Sequence, residues 1–415
     1  MEGSAPAERR APQRLLVLGA GPAQLGLLEA ARERGLYVIA VDRNPAAPGF
    51  RYADRRAIVS VEDERAIARL AAAEEIDGIV APGIDYPVAI AARVAERLGL
   101  PHPVTPAAAQ AATSKLRQRE RFAEAGVPHT RHRVCASCEE ALAAGRELGF
   151  PCVVKAPDLQ GQKGLAVAGD EAAVPAAYER ARELARGSAV LVEELVAGAE
   201  LTVNGFSVGG RFHVLTVTDR AVAAPPAFGV ALEHVWPSAL AGEDVARAVQ
   251  VAARAAQAVG ITDGPTYTQV LLAPRGPVVG ELAARLGGGH DAELCQAALG
   301  VDLNGLALAA ALGEAVSEAA LVARPAVGGA CVRFLCSQPG VLESVEGVDE
   351  AERSDGVVWV RSYRSPGHAF GPLVRGADRA GAVLAVGATR DEARARAARA
   401  ARRVRFVVSP VEALV

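Results

Sequence analysis

The order of elements in the first hundred residues restricts the fold of this chain more than any other feature. An apolar strand, a glycine-rich turn, a helix and a second apolar strand follow one another, at residues 14–18, 19–26, 25–34 and 37–41. A second strand and helix follow at residues 76–98. Strands that alternate with helices pack as a parallel sheet with helices on its faces. The pattern therefore predicts a doubly wound α/β domain at the N-terminus.

Composition and charge exclude several classes of protein. A net charge of −3 and a pI near 6.2 argue against a globally basic nucleic-acid binder. Apolar runs stay well short of the roughly 20 residues that a membrane helix needs. Residues 1–12 are polar and lack the apolar segment of a secretory signal. We expect a disordered N-terminal tail on a cytoplasmic protein.

The three lysines are the first candidates for a functional site. Lys115, Lys155 and Lys163 are the only lysines among 45 basic residues. Codon bias explains the excess of arginine, but a lysine retained against that bias suggests a position where arginine fails. Lysine is a compact point charge, whereas arginine is a planar fork. Lys155 ends an apolar strand, so we expect its ammonium to emerge from the core, and Lys163 lies in a glycine-bearing loop that could approach phosphate.

The glycine turn of the first unit allows more than one interpretation. Gly19, Gly21 and Gly26 follow a strand, and Asp42 ends the next strand, as in a dinucleotide-binding fingerprint. The third glycine comes too late for that fingerprint, so a nicotinamide site is disfavoured. A structural turn or an anion site on the substrate side is preferred.

A second motif resembles a set of zinc ligands. His129, His132, Cys135 and Cys138 recur every three residues. A strand would place such residues alternately on its two faces, so the four would not converge. A strand through this segment and a helix cap at Ser137 explain it without metal. We therefore expect no zinc.

Acidic residues and glycines follow the lysines in a fixed order. The strand at 189–192 ends in two acids, a third acid follows a turn, and a later strand ends in an acid followed by an arginine and a glycine run: Glu193, Glu194, Glu200, Glu281, Arg285 and 287–289. Lysines, strand-end acids and a glycine run in this order indicate a site for phosphate and metal.

Residues 113–312 resemble the ATP-grasp superfamily in this order of motifs. By that resemblance, Lys115 and Lys155 are the two phosphate lysines, and 161–164 is the flexible loop that covers the phosphates through Gly161, Lys163 and Gly164. Residues 192–196 resemble the adenine hinge, with Glu193 meeting the exocyclic amine and the backbone near Glu194 and Val196 meeting the ring. Glu200 matches the acid that binds the ribose, and Glu281 with Arg285 matches the metal-and-arginine motif. Residues 21–26 are similar to the leading domain of the aminoimidazole ribonucleotide carboxylating ligase, and residues 379–387 resemble the trailing domain of such ligases. Within the superfamily the chain resembles the carboxylate–amine ligases and is similar to L-amino-acid ligases and the carbamoyl-phosphate synthetase large chain.

Two positions depart from the pattern of that superfamily. Gln269 stands where the first metal-binding acid is expected, and Ala283 replaces the asparagine of the metal motif. A carboxylate charge at about 4 Å is worth at most roughly 4 kcal/mol at an effective dielectric of 20. Mg²⁺ uses few carboxylates, and glutamine still offers a carbonyl oxygen. We therefore expect metal–ATP binding to survive, with Glu281 and Gln269 as the metal-binding residues.

The resemblance implies an ATP-dependent ligase that uses ATP and Mg²⁺ or Mn²⁺. It would activate a small-molecule carboxylate as an acyl phosphate and couple it to an amine, with Lys163 and Arg285 in the catalytic step. We expect Gly287, Gly288, Gly289 and His290 on the substrate, with neither nucleic acid nor membrane as a partner. A homodimer remains open. The alternatives are a bicarbonate-using ligase of purine or biotin type, an inactive nucleotide-binding protein and, third, a nicotinamide-dependent oxidoreductase.

The expected architecture combines α/β and α+β parts. A doubly wound parallel-sheet domain is predicted at residues 13–103, and an ATP-grasp domain of two α+β subdomains at 104–320, with the lid subdomain at about 130–195. A small α+β domain is predicted at 321–415. The four cysteines outside the zinc-like motif are expected in the core: 152, 295, 331 and 336.

Overall fold

A computed structural model describes residues 12–410 apart from residues 160, 162 and 188. The tail predicted at residues 1–12 therefore lies almost wholly outside the described residues. Among the described residues, helices long and apolar enough to cross a membrane are absent.

The N-terminal part is the predicted doubly wound domain. Its four strands are parallel, in the order β3-β2-β1-β4, with helices packed on both faces. Leucines and valines of β1 alternate between the two apolar clusters, and each fully buried leucine contributes about 2 kcal/mol. The elements are β1 Arg14–Leu18, α1 Leu25–Glu33, β2 Tyr37–Val41, β3 Arg55–Ala57, α2 Glu64–Ala73, β4 Gly78–Val80, α3 Tyr86–Leu98 and α4 Pro106–Thr113.

A small antiparallel sheet forms the part of the chain predicted as a lid. Its strands lie in the order β5-β8-β6-β7, and two helices cover one face. The helix α5 precedes it and is capped by Ser114, whose hydroxyl accepts the backbone N–H of Arg117. The elements are α5 Lys115–Glu124, β5 His132–Cys135, α6 Cys138–Leu148, β6 Cys152–Lys155, β7 Leu165–Ala168, α7 Val174–Leu184 and β8 Val190–Glu194.

A sheet of eight strands carries the rest of the central region. The hairpin predicted around Gly209 and Gly210 is confirmed, since Val208 pairs with Arg211 and both glycines have positive φ angles. The central elements are β9 Glu200–Val208, β10 Arg211–Val222, β11 Ala231–Trp236, α8 Gly242–Ala258, β12 Gly264–Ala273, β13 Gly276–Ala283, α9 Asp291–Leu299 and α10 Leu303–Ala311.

The C-terminal part extends this same sheet. Its first strand pairs with β11, which gives the order β13-β12-β9-β10-β11-β14-β18-β16, while a separate sheet has the order β17-β15-β19. The elements are β14 Gly329–Leu335, β15 Gly340–Glu346, α11 Val348–Glu352, β16 Val357–Ser362, β17 Ala369–Phe370, β18 Gly381–Gly387, α12 Arg390–Arg403 and β19 Arg405–Ser409. The predicted fold class is confirmed, but the sheet continues across the boundary proposed near residue 320.

The N-terminal domain, the central region with the eight-stranded sheet and the C-terminal part, here called the three parts of the chain, share one apolar core. Leu25 and Leu28 of α1 pack in the same cluster as Leu294 of α9, Leu303 of α10 and Phe334 of β14. This core fixes the turn before α1 against the turn before α9. The residues predicted for the site converge at that junction and beneath the small sheet.

Candidate active site

Two adjoining cavities contain most of the predicted site residues. The first, here called the inner cavity, has a volume of about 100 Å³ and lies between the small antiparallel sheet and the eight-stranded sheet. Its wall includes eight of the nine residues predicted to bind nucleotide: Lys115, Lys155, Gly161, Lys163, Glu193, Glu194, Val196 and Glu200. The ninth, Gly164, lies behind the wall, where its carbonyl accepts the backbone N–H of Ala156 at 3.0 Å.

Lys115 and Glu281 lie together on the inner cavity. The Lys115 Nζ donates to Glu281 Oε1 at 3.1 Å and to the carbonyl of Leu159 at 2.6 Å. Burial would raise the pKa of Glu281, but the charges of Lys115 and Lys155 outweigh burial and lower it. A lysine from α5 thus holds the acid of β13 in its charged form.

Lys155 is more deeply placed than its strand-end position predicts. Its Nζ is buried and donates to Glu193 Oε2 at 2.6 Å, so the expectation of an emerging ammonium is wrong. Burial lowers the pKa of Lys155, although Glu193 opposes that shift. Arg119, one turn after Lys115 on α5, donates to the other oxygen of Glu193 at 2.8 and 3.0 Å.

Lys155 and Arg119 both bind the carboxylate of Glu193. Burial alone would raise its pKa, but Arg119 and Lys155 hold the pKa at about 2. The Glu193 carboxylate is therefore fixed within the wall of the cavity. Arg119 escaped the sequence analysis, although its i, i+4 spacing from Lys115 on one helix face was a usable signal.

Glu194 is held by two arginines at the start of the predicted hinge. It accepts the backbone N–H and the side chain of Arg131, each at 2.8 Å, and also binds Arg275. Burial opposes ionisation, but the hydrogen bond from Arg275 and those from Arg131 hold its pKa at about 2. Leu195 and Val196 follow without regular structure and line the inner cavity. The hinge is thus a fixed edge with accessible backbone.

The glycine-bearing loop contributes to both cavities. Gly161 and Gly164 have φ angles of 65° and 64°, which few other residues adopt, so the loop depends on glycine. Lys163 lies between them and lines both cavities. Burial lowers the pKa of Lys163, and Arg375 and Arg43 add to that shift. A cation placed among cations favours an anion at this position.

Gln269 and Glu281 face each other across neighbouring strands. They are register partners on β12 and β13, and both line the two cavities. The Gln269 side-chain amide donates to Glu200 Oε2 at 3.0 Å, and Arg220 binds the same carboxylate oxygen. The amide nitrogen is thus engaged, which leaves the carbonyl oxygen of Gln269 for a cation.

The second space, here called the outer cavity, has a volume of about 340 Å³ and receives residues from all three parts of the chain. The turn at Gly21–Gln24 forms one wall, and the segment from Arg375 to Arg379 forms another. Asp42 also lines it, with its Oδ2 accepting the backbone N–H of Ala20 at 3.0 Å. The glycine turn therefore faces this space, as the interpretation of a substrate-side turn expects.

Arg285 is bound by an acid from the N-terminal domain. Its Nε donates to Asp85 Oδ1 at 2.6 Å, and its guanidinium lies 5.5 Å from the ring centroid of Tyr267. Burial raises the pKa of Asp85, although Arg285 opposes that shift. Asp85 precedes α3 and gave no signal in the sequence, because it lies 200 positions from Arg285.

A histidine that the sequence analysis missed faces the outer cavity. His234 of β11 is buried, and its Nδ1 lies 3.1 Å from Asp291 Oδ1. Burial would raise the pKa of Asp291, but His234 and Asn204 hold it at about 2. With Nδ1 on the carboxylate, Nε2 is the nitrogen available to the cavity. A single histidine in a strand offers no spacing that could have predicted this pair.

The glycine run at residues 287–289 allows Asp291 and His234 to lie against its backbone. A Cβ at Gly287 would lie 2.1 Å from Asp291 Oδ2, and one at Gly289 would lie 2.7 Å from the His234 ring. The backbone N–H of Gly289 donates to Asp291 at 3.1 Å. Gly288 and Gly289 line the outer cavity, whereas Gly287 supports it from behind.

The predicted substrate residue His290 turns away from the outer cavity. It has a left-handed φ of 60° and precedes α9. Its Nε2 lies 2.5 Å from the Tyr363 hydroxyl, and its Nδ1 lies 3.0 Å from Glu293 Oε1. Tyr363, not His290, reaches the cavity wall. The sequence placed His290 beside the site but could not give its direction.

Residues 129–138 form the strand and helix cap proposed for them. His132 opens β5, Cys135 ends it, and Ser137 caps α6 by accepting the backbone N–H of Glu140. Within the described part of the chain, no group of three or more histidine, cysteine, aspartate or glutamate side chains is placed to hold a metal ion.

Family models match most of the chain beyond the N-terminal domain. The ATP-binding domain of the carbamoyl-phosphate synthase L chain matches residues 114–319, and the L-amino acid ligase C-terminal domain 2 matches residues 333–409. Formate-dependent phosphoribosylglycinamide formyltransferase of Burkholderia pseudomallei (strain 668) is 30% identical, with 95% of each chain covered.

Solved structures agree with these matches. The L-amino acid ligase from Bacillus licheniformis has a TM-score of 0.81 at 20% identity and covers 96% of this chain and 100% of its own. Biotin carboxylase from Campylobacter jejuni has a TM-score of 0.76 at 18% identity, covering 96% and 92%. The chain belongs to the ATP-grasp superfamily and is an ATP-dependent ligase.

Proposed function

We propose that this ligase joins a small carboxylic acid to an amine, with amino acids as the substrates, and releases ADP and phosphate. One observation carries the proposal: the outer cavity meets the inner cavity at Lys163, Gln269 and Glu281. An acid bound in the outer cavity would thus lie beside the phosphate end of ATP in the inner one. The match of residues 333–409 to L-amino acid ligases supports amino acids as substrates.

The first step is transfer of a phosphoryl group. A carboxylate oxygen attacks the γ-phosphorus of ATP, the new O–P bond forms, and the bond to the bridging oxygen breaks and leaves its electron pair on ADP. The lysines of the inner cavity, Lys115 and Lys155, hold the phosphates, and Lys163 covers them from the loop. Most of the acceleration comes from position and charge, since this reaction needs little covalent chemistry from the protein.

Glu281 and Gln269 would hold the metal ion that accompanies ATP. The donor set fits Mg²⁺, because it offers one carboxylate and one amide oxygen on facing strands and leaves room for water and phosphate ligands. When bound, Mg²⁺ neutralises charge on the phosphates. Lys115 fixes the Glu281 carboxylate for that purpose.

The second step forms the amide. The amine nitrogen attacks the acyl carbon, the bond from carbon to the phosphate oxygen breaks, and phosphate departs with the electron pair. The nitrogen must lose a proton, and His234 Nε2 accepts it while Asp291 stabilises the imidazolium. Arg285, oriented by Asp85, stabilises the negative oxygen of the tetrahedral intermediate.

Arg379 is the group for the free carboxylate of the amine substrate. It lines the outer cavity, lies 3.7 Å from the ring centroid of Phe334, and donates to the Gly376 carbonyl at 2.8 Å. No carboxylate of the described residues lies within 4.0 Å of its guanidinium. Burial lowers the pKa of Arg379, so an anionic substrate group at this position relieves a cost.

Phosphate release measured over a panel of amino acids, singly and in pairs, tests the proposal. A pair that releases ADP and phosphate and yields a dipeptide supports it. Turnover that requires bicarbonate would instead favour a carboxylating ligase. Tight ATP binding without turnover on any acid and amine would favour an inactive nucleotide-binding protein. In the positive case, hydroxylamine in place of the amine traps the acyl phosphate as a hydroxamate.

A further inference from the structure

A third cavity lies away from both of those described. Here called the distal cavity, it has a volume of about 380 Å³ and opens between α1, the start of α10 and β16. It shares no residue of its described wall with the inner or the outer cavity. Its position at the junction of the three parts of the chain makes it a separate candidate for a ligand.

The lack of a side chain at Gly26 shapes the wall of the distal cavity. A Cβ at Gly26 would lie 2.3 Å from Glu293 Oε1 and 3.0 Å from Asn304 Nδ2. This is the third glycine of the N-terminal turn, whose spacing did not fit a dinucleotide site. Its absent side chain lets Glu293 and Asn304 approach the surface of α1 at the cavity wall.

Asn304 of α10 places a side-chain amide at the wall of the distal cavity. It is 8% exposed and lines the distal cavity, and no hydrogen bond joins its side chain to another described residue. Because no described residue binds this amide, a polar group within the cavity can pair with it.

The charged residues on the wall of the distal cavity favour a positively charged ligand. Among the described residues, four acids line the distal cavity against a single arginine, Arg361. Arg361 is already bound to Glu29 at 2.6 Å and to Glu293 at 2.5 Å, and it stacks over Trp359 at 4.5 Å. The other two acids, Glu33 and Asp302, have no cationic side chain within 4.0 Å among the described residues.

We propose that the distal cavity is a binding site for a small organic cation, an amine or guanidinium compound with a short alkyl chain. Glu33 and Asp302 attract the charge, and Asn304 Oδ1 accepts a hydrogen bond from the cationic group. Trp359, Ala297 and Leu384 supply apolar contact for the alkyl chain. Binding of such a cation does not require the proposed ligase reaction.

The wall of the distal cavity is connected to the reaction site. Glu293 binds His290, and His290 binds the hydroxyl of Tyr363, which lines the outer cavity. A chain of hydrogen bonds therefore joins the distal cavity to a residue on the outer cavity. Binding itself is measured without turnover, so failure of the ligase proposal leaves the test of this site intact.

Isothermal titration of the full chain with agmatine and with putrescine tests the site. We expect saturable binding of one cation per chain, with a change in the fluorescence of Trp359. Glu33→Gln should weaken binding roughly fivefold, as for one partly exposed charge pair. Asn304→Leu should weaken it further, because it removes the acceptor while keeping the volume. Glu96→Gln, an exposed glutamate on α3, is the matched control and should leave binding unchanged.

Three outcomes would overturn the proposal. The first is the absence of saturable binding of either cation at millimolar concentration. The second is equal weakening in Glu33→Gln and Glu96→Gln, since that would indicate diffuse surface charge. The third is a dimer that Glu33→Arg dissociates in sedimentation experiments, with no cation binding to the wild type, because a second copy would then cover this face. Unchanged thermal unfolding of Asn304→Leu and Glu33→Gln verifies that each variant is folded.

Discussion

Gln269 donates its side-chain amide to Glu200 at 3.0 Å while facing Glu281 across the β12–β13 pair. A carboxylate at position 269 could not donate this hydrogen bond and would repel Glu200. Glutamine therefore serves the local packing at the expense of one charge at the proposed metal site.

Gln269→Glu should lower the Mg²⁺ concentration needed for half-maximal nucleotide binding. The added charge faces Glu281 on the neighbouring strand, and Arg220 remains to bind Glu200. Titration of Mg²⁺ at fixed ADP, followed by thermal unfolding, measures the effect. Gln257→Glu on the exposed face of α8 is the control. An equal shift in both variants would remove position 269 from the metal site.

Lys155→Ala should reduce both nucleotide binding and stability. The buried carboxylate of Glu193 would retain only Arg119, and partial loss of a buried pair costs about 3 kcal/mol. Chemical denaturation gives the free energy of unfolding, and ADP-dependent stabilisation gives the binding. A variant with wild-type protection by ADP would contradict the assignment of Lys155 to phosphate.

Lys163→Ala should leave ADP binding nearly unchanged and reduce kcat strongly. The loop lysine acts when the loop covers the phosphates, so its loss affects the transition state more than the bound nucleotide. Steady-state kinetics with the best substrate pair separates kcat from KM. Arg182→Ala on α7, exposed and remote from the cavities, controls for loss of a surface cation. A large rise in KM for ATP with unchanged kcat would contradict this role.

His234→Ala should slow amide formation about 100-fold while sparing hydroxamate formation. Hydroxylamine is largely unprotonated at neutral pH and needs no base, whereas an amino acid must lose a proton. Comparing the two nucleophiles in the same variant isolates the second step. Equal loss with both would place His234 in a structural role or in the first step.

Acid should destabilise the fold through the buried carboxylates. The pKa of Glu193 is about 2 against an ordinary 4.5, and that of Asp291 is about 2 against 3.8. A depressed pKa stabilises the fold above the ordinary value, and this stability is lost as pH falls from about 4.5 toward 2. By linkage, Glu193 alone accounts for on the order of 3 kcal/mol.

Urea unfolding at a series of pH values checks this expectation. Glu193→Gln should be less stable at pH 7 and should show a shallower decline in acid. Parallel declines for the variant and the wild type would contradict the assignment of the low pKa to Glu193.

The local patterns predicted the elements and most of the inner cavity. Strand and helix spacing gave the β9–β10 hairpin and α3, and the three lysines reach one wall because their elements follow the order of the family. Relationships between distant segments gave no such signal. Arg285 with Asp85, and His234 with Asp291, depend on tertiary packing that brings separate turns together. Lys155 shows the same limit, because the strand end was predicted while its burial against Glu193 was not.

The ion pair between Arg285 and Asp85 has a consequence for transplanting the chemistry into another protein. Residues 114–319 match a recognised ATP-binding domain, yet Asp85, which orients Arg285, precedes that segment, and Arg379 follows it. A chimera that received only residues 114–319 would gain the ATP-binding domain but would lack Asp85 and Arg379. The smallest portable unit is therefore nearly the whole polypeptide.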